Sequence, residues 1–310
     1  MVMITVLSKS DFEDILKRYE IGKYVSHRPA RSNDNSVYFL DTSSGKFVLK
    51  VHEGVTPGRF VYILRIIEFV SEHALPSAKL IRTKHGRLFV LRNGKRITIQ
   101  EFAYGKPLDG ALPGSEIRNV AHLIGVLDKT LLKLRLRSGL VPKWGDPFRS
   151  VIFWDKEING FDLNGIKHYE DELHDSLRAI KKDKLRKGII HADLGHNILY
   201  KDGKISAITD WDDAHRGYLV YEPAVFIADN FITSDRVMKR DISLFLREYQ
   251  RYFSLNQEEK KAIYYFIKFR YLNAIPWLAR HKKINGAHAT LSRYETFSRL
   301  SLDRFLGLYG

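Results

Sequence analysis

The 310-residue sequence predicts an α+β fold in two parts: a small N-terminal antiparallel sheet with one main helix over 1–104, and a larger, mainly helical part over 105–310. Three observations carry this. The length matches two domains or lobes at about 150 residues each. The first hundred residues hold strand-like apolar runs punctuated by tight-turn pairs. Beyond Gly105-Lys106-Pro107, which breaks the chain, apolar residues recur mainly at helical spacing.

Each element has its own signal. Ser10 with Glu13 predicts a capping box for a helix over 11–19. NSVYFLDT and KFVLKVH then read as two strands joined at Ser43-Ser44-Gly45. Phe60, Ile63, Leu64, Ile67 and Val70 lie on one face of an amphipathic helix over 58–73, which stops before Leu75-Pro76. GRLFVLR and RITIQEF flank an Asn93-Gly94 turn. The pattern after the first helix is therefore strand, strand, helix, strand, strand. In the second part, Ile117, Val120, Ala121, Ile124, Leu127, Leu131 and Leu134 trace a long helix, and a further helix is predicted over 165–183. NILY and KISAIT form a hairpin about Lys201-Asp202-Gly203. Asn256 with Glu259 caps a helix running to about 281, in which Pro276 is predicted to produce a kink.

Composition excludes several functions. With no cysteine there is no disulfide framework, thiolate metal site or cysteine nucleophile. The first twenty residues carry charges from Lys9 onward and lack the apolar core of a signal peptide, and no run of 18 apolar residues occurs. A cytoplasmic protein without a membrane partner is expected. Lys and Arg total 51 against 36 Asp and Glu, a net charge of +15, which suits an anionic partner such as a nucleotide phosphate. Five of those charges (Lys181, Lys182, Lys184, Arg186 and Lys187) fall within seven residues and read as a solvated helix end. No zinc-finger spacing or RNA-binding aromatic signature accompanies them, so nucleic acid is not the expected partner.

The chemistry concentrates in GIIHADLGHNILYKDGKISAITDWDDAHRG, residues 188–217. An apolar strand leads into a polar loop with His191, Asp193 and Asn197; the hairpin follows, and then Asp210, Asp212 and Asp213. A hairpin sets its two ends side by side, so Asn197 and Asp210 are expected close together. Oxygen ligands converging this way suit Mg²⁺, which binds through one or two carboxylates plus substrate phosphates. Asp212 is a candidate second metal contact, with loop hydrogen-bonding as its alternative role. Asp193 is then placed to orient or deprotonate a hydroxyl nucleophile, and His191 to order the loop by hydrogen bonding. Phosphoryl transfer needs these parts: a positioned alcohol, a metal bridge, and cations on the phosphates.

This stretch resembles the catalytic and metal loops of the aminoglycoside phosphotransferase/choline kinase superfamily, relatives of the protein kinases, whose pattern is His-x-Asp-x4-Asn followed by Ile-Asp-Phe/Trp-x. The resemblance covers most of the chain and implies a two-lobed protein-kinase-like fold. GKFVLKVHE, IIEFVSEHALP and KGIIHADL are most similar to the bacterial homoserine kinases within that superfamily. The resemblance implies that Lys50 in FVLKV holds the α/β-phosphates of ATP, that Glu68 is its partner, and that the backbone from Gln100 through Glu101 to Ala103 is the hinge for adenine. Three departures stand out. Only three residues separate Asp193 from Asn197, where the family has four. The phosphate-covering turn ARSNDNSVY has no glycine, leaving Ser32, Asn33, Asn35 and Ser36 as donors. Tyr221-Glu222-Pro223 stands where Tyr-Asp-Leu is usual, and reads as structural.

The reading is an ATP- and Mg²⁺-dependent kinase acting on a hydroxyl of a small molecule, homoserine first, whose carboxylate would suit Arg216 or Arg270. Another small alcohol (a sugar, amino sugar, choline or aminoglycoside) is the alternative acceptor. A protein-substrate kinase is disfavoured by the lack of Asp-Phe-Gly and Ala-Pro-Glu segments. A non-catalytic kinase-like binding module is disfavoured by the retention of Lys50, Asp193 and Asp210.

Overall fold

In the computed structural model, which describes residues 5–30, 32, 34–108, 110–136, 145–149 and 156–310, Ser8 rather than Ser10 opens the first helix, α1 (Lys9–Leu16). Ser8 Oγ accepts the Asp11 N–H while the Asp11 carboxylate accepts the Ser8 N–H at 2.8 Å. The box therefore sits two residues earlier than predicted, and the helix buries Phe12, Ile15 and Leu16 on one side.

Five strands follow the helix: β1 (Tyr24–Pro29), β2 (Ser36–Thr42), β3 (Gly45–His52), and, after helix α2 (Pro57–Glu72), β4 (Val90–Arg92) and β5 (Lys95–Glu101). They pair antiparallel in the order β1-β2-β3-β5-β4. The β2–β3 turn closes with Thr42 opposite Gly45, and the β4–β5 turn uses Asn93 and Gly94 at φ 48° and 73°, the left-handed pair that matches strand twist. β1 is absent from the predicted pattern. It is an edge strand with no fully buried residue, so it has no apolar alternation to read.

The two faces of this sheet differ. Leu49, Val51, Ile97 and Ile99 turn toward α1 and join Phe12, Ile15 and Leu16 in one core. Strand alternation puts Val48, Lys50 and His52 on the other face. There His52 meets Phe60 of α2 edge-on at 4.8 Å. The chain up to Gly105 forms one compact unit, joined by Ser206–Thr209, where the Ile208 N–H donates to Pro76 O at 2.7 Å.

The second compact unit comprises Lys106–Ile205 and Asp210–Gly310. It begins with β6 (Lys106–Pro107) and α3 (Gly114–Leu131), continues through a small hairpin of β7 (Glu157–Ile158) and β8 (Phe161–Asp162), α4 (Lys167–Arg178), β9 (Lys187–Ile190), β10 (Ile198–Lys201), the first residues of β11 (Lys204–Ile208, whose end from Ser206 belongs to the first unit) and β12 (His215–Tyr218), and ends in α5 (Tyr221–Asn230), α6 (Lys239–Gln250), α7 (Gln257–Arg280), α8 (Ile284–Ser298) and α9 (Leu302–Leu306). α5 is buried from Tyr221 to Ala228 and packs along α7. α7 starts at the predicted capping box, Asn256 with Glu259. None of the described helices is long and apolar enough to cross a membrane.

The basic run departs from the sequence reading. α4 ends at Arg178, and Ile180 and Leu185 turn inward beyond it. Arg186 then grips the buried Glu259 carboxylate through Nε at 2.7 Å and Nη2 at 2.6 Å, with its guanidinium 3.9 Å from the Phe253 ring centre. Lys181 N–H donates to Glu258, and Asn256 donates to Lys184 O. Instead of a solvated helix end, the run is a strap tied to the start of α7.

Candidate active site

Two strand pairs build the polar loop. β9 and β12 run antiparallel with Ile190 opposite His215, so the residues after β9 lie beside those before β12. Gly188 faces Gly217 in this ladder, and a methyl group on either would strike Leu219 or Ile190. The second pair is the predicted hairpin of β10 and β11, turned at Asp202 and Gly203 (φ 51° and 73°). Asn197 directly precedes β10 and Asp210 follows β11 by two residues, so both stand at the open end of the hairpin. Asp210 adopts a left-handed φ of 57°, which swings the chain from β11 into the turn Trp211–Asp213. Asp tolerates that region better than most residues.

The loop from His191 to Asn197 is held from several sides. His191 and Ala192 both donate their backbone N–H to Glu222 Oε1, the latter at 3.3 Å. Ala192 has φ 69°, a conformation that costs a non-glycine residue about 1 kcal/mol or more. The paired bonds to Glu222 hold it there. His191 is fully buried against Trp211, ring centres 4.6 Å apart, and its Nδ1 accepts the Asp193 N–H at 3.3 Å. Asn197 Nδ2 donates to Asp193 O at 2.7 Å and to Asp193 Oδ2 at 3.0 Å. Arg270, from α7, donates to Asp193 Oδ1 at 2.5 Å and to Asp229 Oδ2 at 2.9 Å. Even so, the Asp193 side chain remains 34% exposed.

Charge is concentrated here. Burial, and after it the carboxylates of Asp193, Asp210 and Asp212, pushes Asp213 up to about 7. Arg270 stays cationic: burial opposes its charge, but Asp229 and Asp193 outweigh it. Among the described residues no three His, Asp or Glu side chains gather into a ready-made metal cage. The donor set nevertheless suits a hard cation: an amide oxygen on Asn197 and carboxylates on Asp210 and Asp212, crowded enough to raise a neighbouring acid, with ligand places left for phosphate oxygens.

The first unit carries the remaining sequence candidates. Lys50 stands on β3 between Val37 and Thr98, on the sheet face that bears His52. Glu68 is engaged by Arg82, whose other arm holds Gly86 O at 2.8 Å. Ser36 is 1% exposed, accepts the Thr5 N–H and donates to Glu53 at 3.0 Å. Asn35 Oδ1 accepts the Glu53 N–H in the same cluster, and Asn33 lies outside the described residues. At the hinge, Gln100 pairs with Val48 and the Glu101 N–H is already given to Lys79 O at 2.9 Å. Ala103 follows the end of β5.

Glu222, read from the sequence as structural, organises the loop; sequence reading missed Asp229, which pairs with Arg270, and Asn230, which donates to Gly195 O at 3.1 Å. Their signal was available, since YEPAVFIADN sets acids and an amide into an otherwise apolar helix. Arg270, which the sequence offered to an acceptor carboxylate, pairs with two carboxylates of the chain itself.

Comparison with known proteins shows the family and the fold. Residues 26–260 match the model of a family described as "Phosphotransferase enzyme family". Homoserine kinase of Neisseria meningitidis serogroup B is 28% identical over 270 residues, 84% of this chain and 85% of that one. Homoserine kinase of Methylobacillus glycogenes is 25% identical over 276 residues, 84% and 82% of the two chains. Among solved structures, amicoumacin kinase in complex with AMP-PNP, Ca²⁺ and Ami superposes with a TM-score of 0.70 at 17% identity, covering 94% of this chain and 95% of that one. A microcompartment-associated aminopropanol kinase gives 0.70 at 16% identity, covering 97% and 100%. The fold is the one shared by these small-molecule kinases.

Proposed function

Because the chain belongs to the phosphotransferase enzyme family, and so is a small-molecule kinase, we propose that it transfers the γ-phosphoryl group of ATP to the side-chain hydroxyl of homoserine. The observation that carries the reaction class is Asp193: a carboxylate gripped on both oxygens, by Asn197 and by Arg270, yet one-third exposed beside an acidic cluster. The similarity to homoserine kinases over 84% of the chain supports the acceptor.

In this reading Asp193 orients the acceptor hydroxyl and takes its proton as the oxygen bonds to phosphorus, and ADP leaves with the electrons of the broken P–O bond. His191 fixes the loop from below through its ring nitrogen and backbone. Asn197, Asp210 and Asp212 would hold Mg²⁺, which when bound neutralises charge on the β- and γ-phosphates. Lys50 steadies the α/β-phosphates. Adenine meets the hinge through Glu101 O and the Ala103 backbone, since the Glu101 N–H is spent on Lys79. Glu68, paired with Arg82, and the buried Ser36 serve the first unit's own structure.

A second reading is favoured by one observation. Arg270 is occupied, and the acids around Asp193 suit a cationic amino alcohol without a carboxylate. Mg-ATP turnover against homoserine, sugars, choline, aminopropanol and an aminoglycoside separates the two, with Asp193→Ala as the matched control. Homoserine turnover that vanishes in the control supports the first reading. Preference for a carboxylate-free amino alcohol supports the second, and undiminished turnover in Asp193→Ala would sink both.

A further inference from the structure

We propose that Arg270 and Asp229 form a clamp that positions Asp193 for proton acceptance, so that Arg270 is a positioning residue and not a binding site for an anionic group of the acceptor. This rests on the reading of Asp193 as the proton acceptor.

The clamp is built from two helices that pack along each other. Asp229 stands near the end of α5 and Arg270 midway along α7. One nitrogen of Arg270, Nη2, bridges Asp193 Oδ1 at 2.5 Å and Asp229 Oδ2 at 2.9 Å, and Nε faces Asp229 Oδ1 at 3.5 Å. Asp229 is itself mostly buried, with a side chain 10% exposed. The loop touches the same helix end. A methyl group on Gly195 would collide with the Asp229 carboxylate, and Asn230 donates to Gly195 O.

Each acid makes its own contact with the guanidinium. Asp193 is held in one rotamer on Oδ1 by Arg270 and on Oδ2 by Asn197, while Asp229 anchors the guanidinium through Nη2 and Nε. The planar fork of Arg suits this bridge, whereas a lysine offers a point charge with no fixed geometry.

The test is steady-state kinetics of Arg270→Gln, Arg270→Lys and Asp229→Asn, with Mg-ATP and homoserine, and with slow ATP hydrolysis to water as the readout that needs no acceptor. Displacing a reacting group by about 1 Å costs about 100-fold. We therefore expect Arg270→Gln to lower kcat about 100-fold with KM for ATP within twofold of wild type. Arg270→Lys should recover about tenfold of that loss, and Asp229→Asn should lower kcat about tenfold. Three results overturn the clamp: kcat within threefold of wild type in Arg270→Gln; a loss confined to KM for the acceptor, which would make Arg270 an anion anchor; or kcat and ATP affinity falling together, which would mark a general loss of structure. Should the glutamine variant fail to fold, the lysine and asparagine variants decide, and wild-type kcat in both overturns the clamp. Asp193→Ala reports on the underlying reading separately: if it keeps turnover, Asp193 is not the acceptor; if it does not and the clamp variants behave as wild type, the clamp alone is wrong.

Discussion

Glu222 stands at the start of α5 and accepts, on a single carboxylate oxygen, the backbone N–H groups of both His191 and Ala192, thirty-one and thirty residues earlier in the chain. The loop that presents Asp193 thus hangs from a fully buried acid. Its other oxygen, and Oδ1 of the equally buried Asp128, have no hydrogen-bond partner among the described residues.

Removing that carboxylate leaves two donors buried and unpaired, at about 1–3 kcal/mol each. Glu222→Ala is expected to lower stability by about 3 kcal/mol or more in urea unfolding. Glu222→Gln, which keeps an acceptor oxygen, should lose less than half of that. Equal losses in the two variants would mean that volume, not the paired acceptor, is what matters.

The same acids predict a pH dependence. Burial pushes Glu222 above the ordinary carboxylate range, and burial together with the Glu222 charge pushes Asp128 up as well. The folded chain therefore holds protons that the unfolded chain releases above about pH 4.5. The sign follows from linkage: this contribution is full below the unfolded-state value and is lost as pH rises through the raised folded-state values. The urea midpoint should fall from mildly acidic pH toward alkaline pH, with a shallower slope in Glu222→Gln. An unchanged slope in that variant would assign the effect to other groups.

The strap predicts a contrast within the basic run. Arg186→Ala strands the fully buried Glu259 carboxylate and is expected to cost about 3–5 kcal/mol. Lys181→Ala and Lys184→Ala, which contribute backbone contacts here, should stay within about 0.5 kcal/mol of wild type. Thermal melts of the three variants, each set against wild type, measure the contrast.

At Gly195, an added methyl group meets the Asp229 carboxylate, so Gly195→Ala must push loop or helix aside. Overpacking of this kind costs about 1–3 kcal/mol. We expect a lower melting temperature and a kcat reduced about tenfold or more, with Gly203→Ala, where nothing lies near, losing only what its left-handed turn demands. A normal kcat in Gly195→Ala would show that the loop adapts freely.

Lys50→Met keeps the stem on the sheet and deletes the charge. KM for ATP should rise about tenfold or more, as expected for a lost phosphate contact, while the fold, read by circular dichroism, stays intact. An unaltered KM would remove Lys50 from the nucleotide site.

Local pattern made a large share of this protein legible. The turns at Ser43-Ser44-Gly45, Asn93-Gly94 and Lys201-Asp202-Gly203 lie where their residue types demand, and α2 and α3 follow their apolar periodicity. The cap of α7 is two residues speaking across three positions, which sequence alone specifies. The spacing of His191, Asp193, Asn197 and Asp210 likewise lies within one strand, loop and hairpin, so their grouping is a short-range fact.

Other features depended on distance along the chain. β1 has no buried alternation and exists because β2 offers it an edge. Ser36 has the residue type of a phosphate donor, and only the sheet's packing shows that its hydroxyl is given to Glu53. Arg270 meets Asp193 across 77 residues, and Glu259 meets Arg186 across 73. A charged side chain in a sequence has no partner until folding removes the water that solvates it; which opposite charge then satisfies it is settled by how the helices pack. The sequence by itself determined where chemistry could occur, and the tertiary structure decided which carboxylates are held, by what, and which remain open to a substrate.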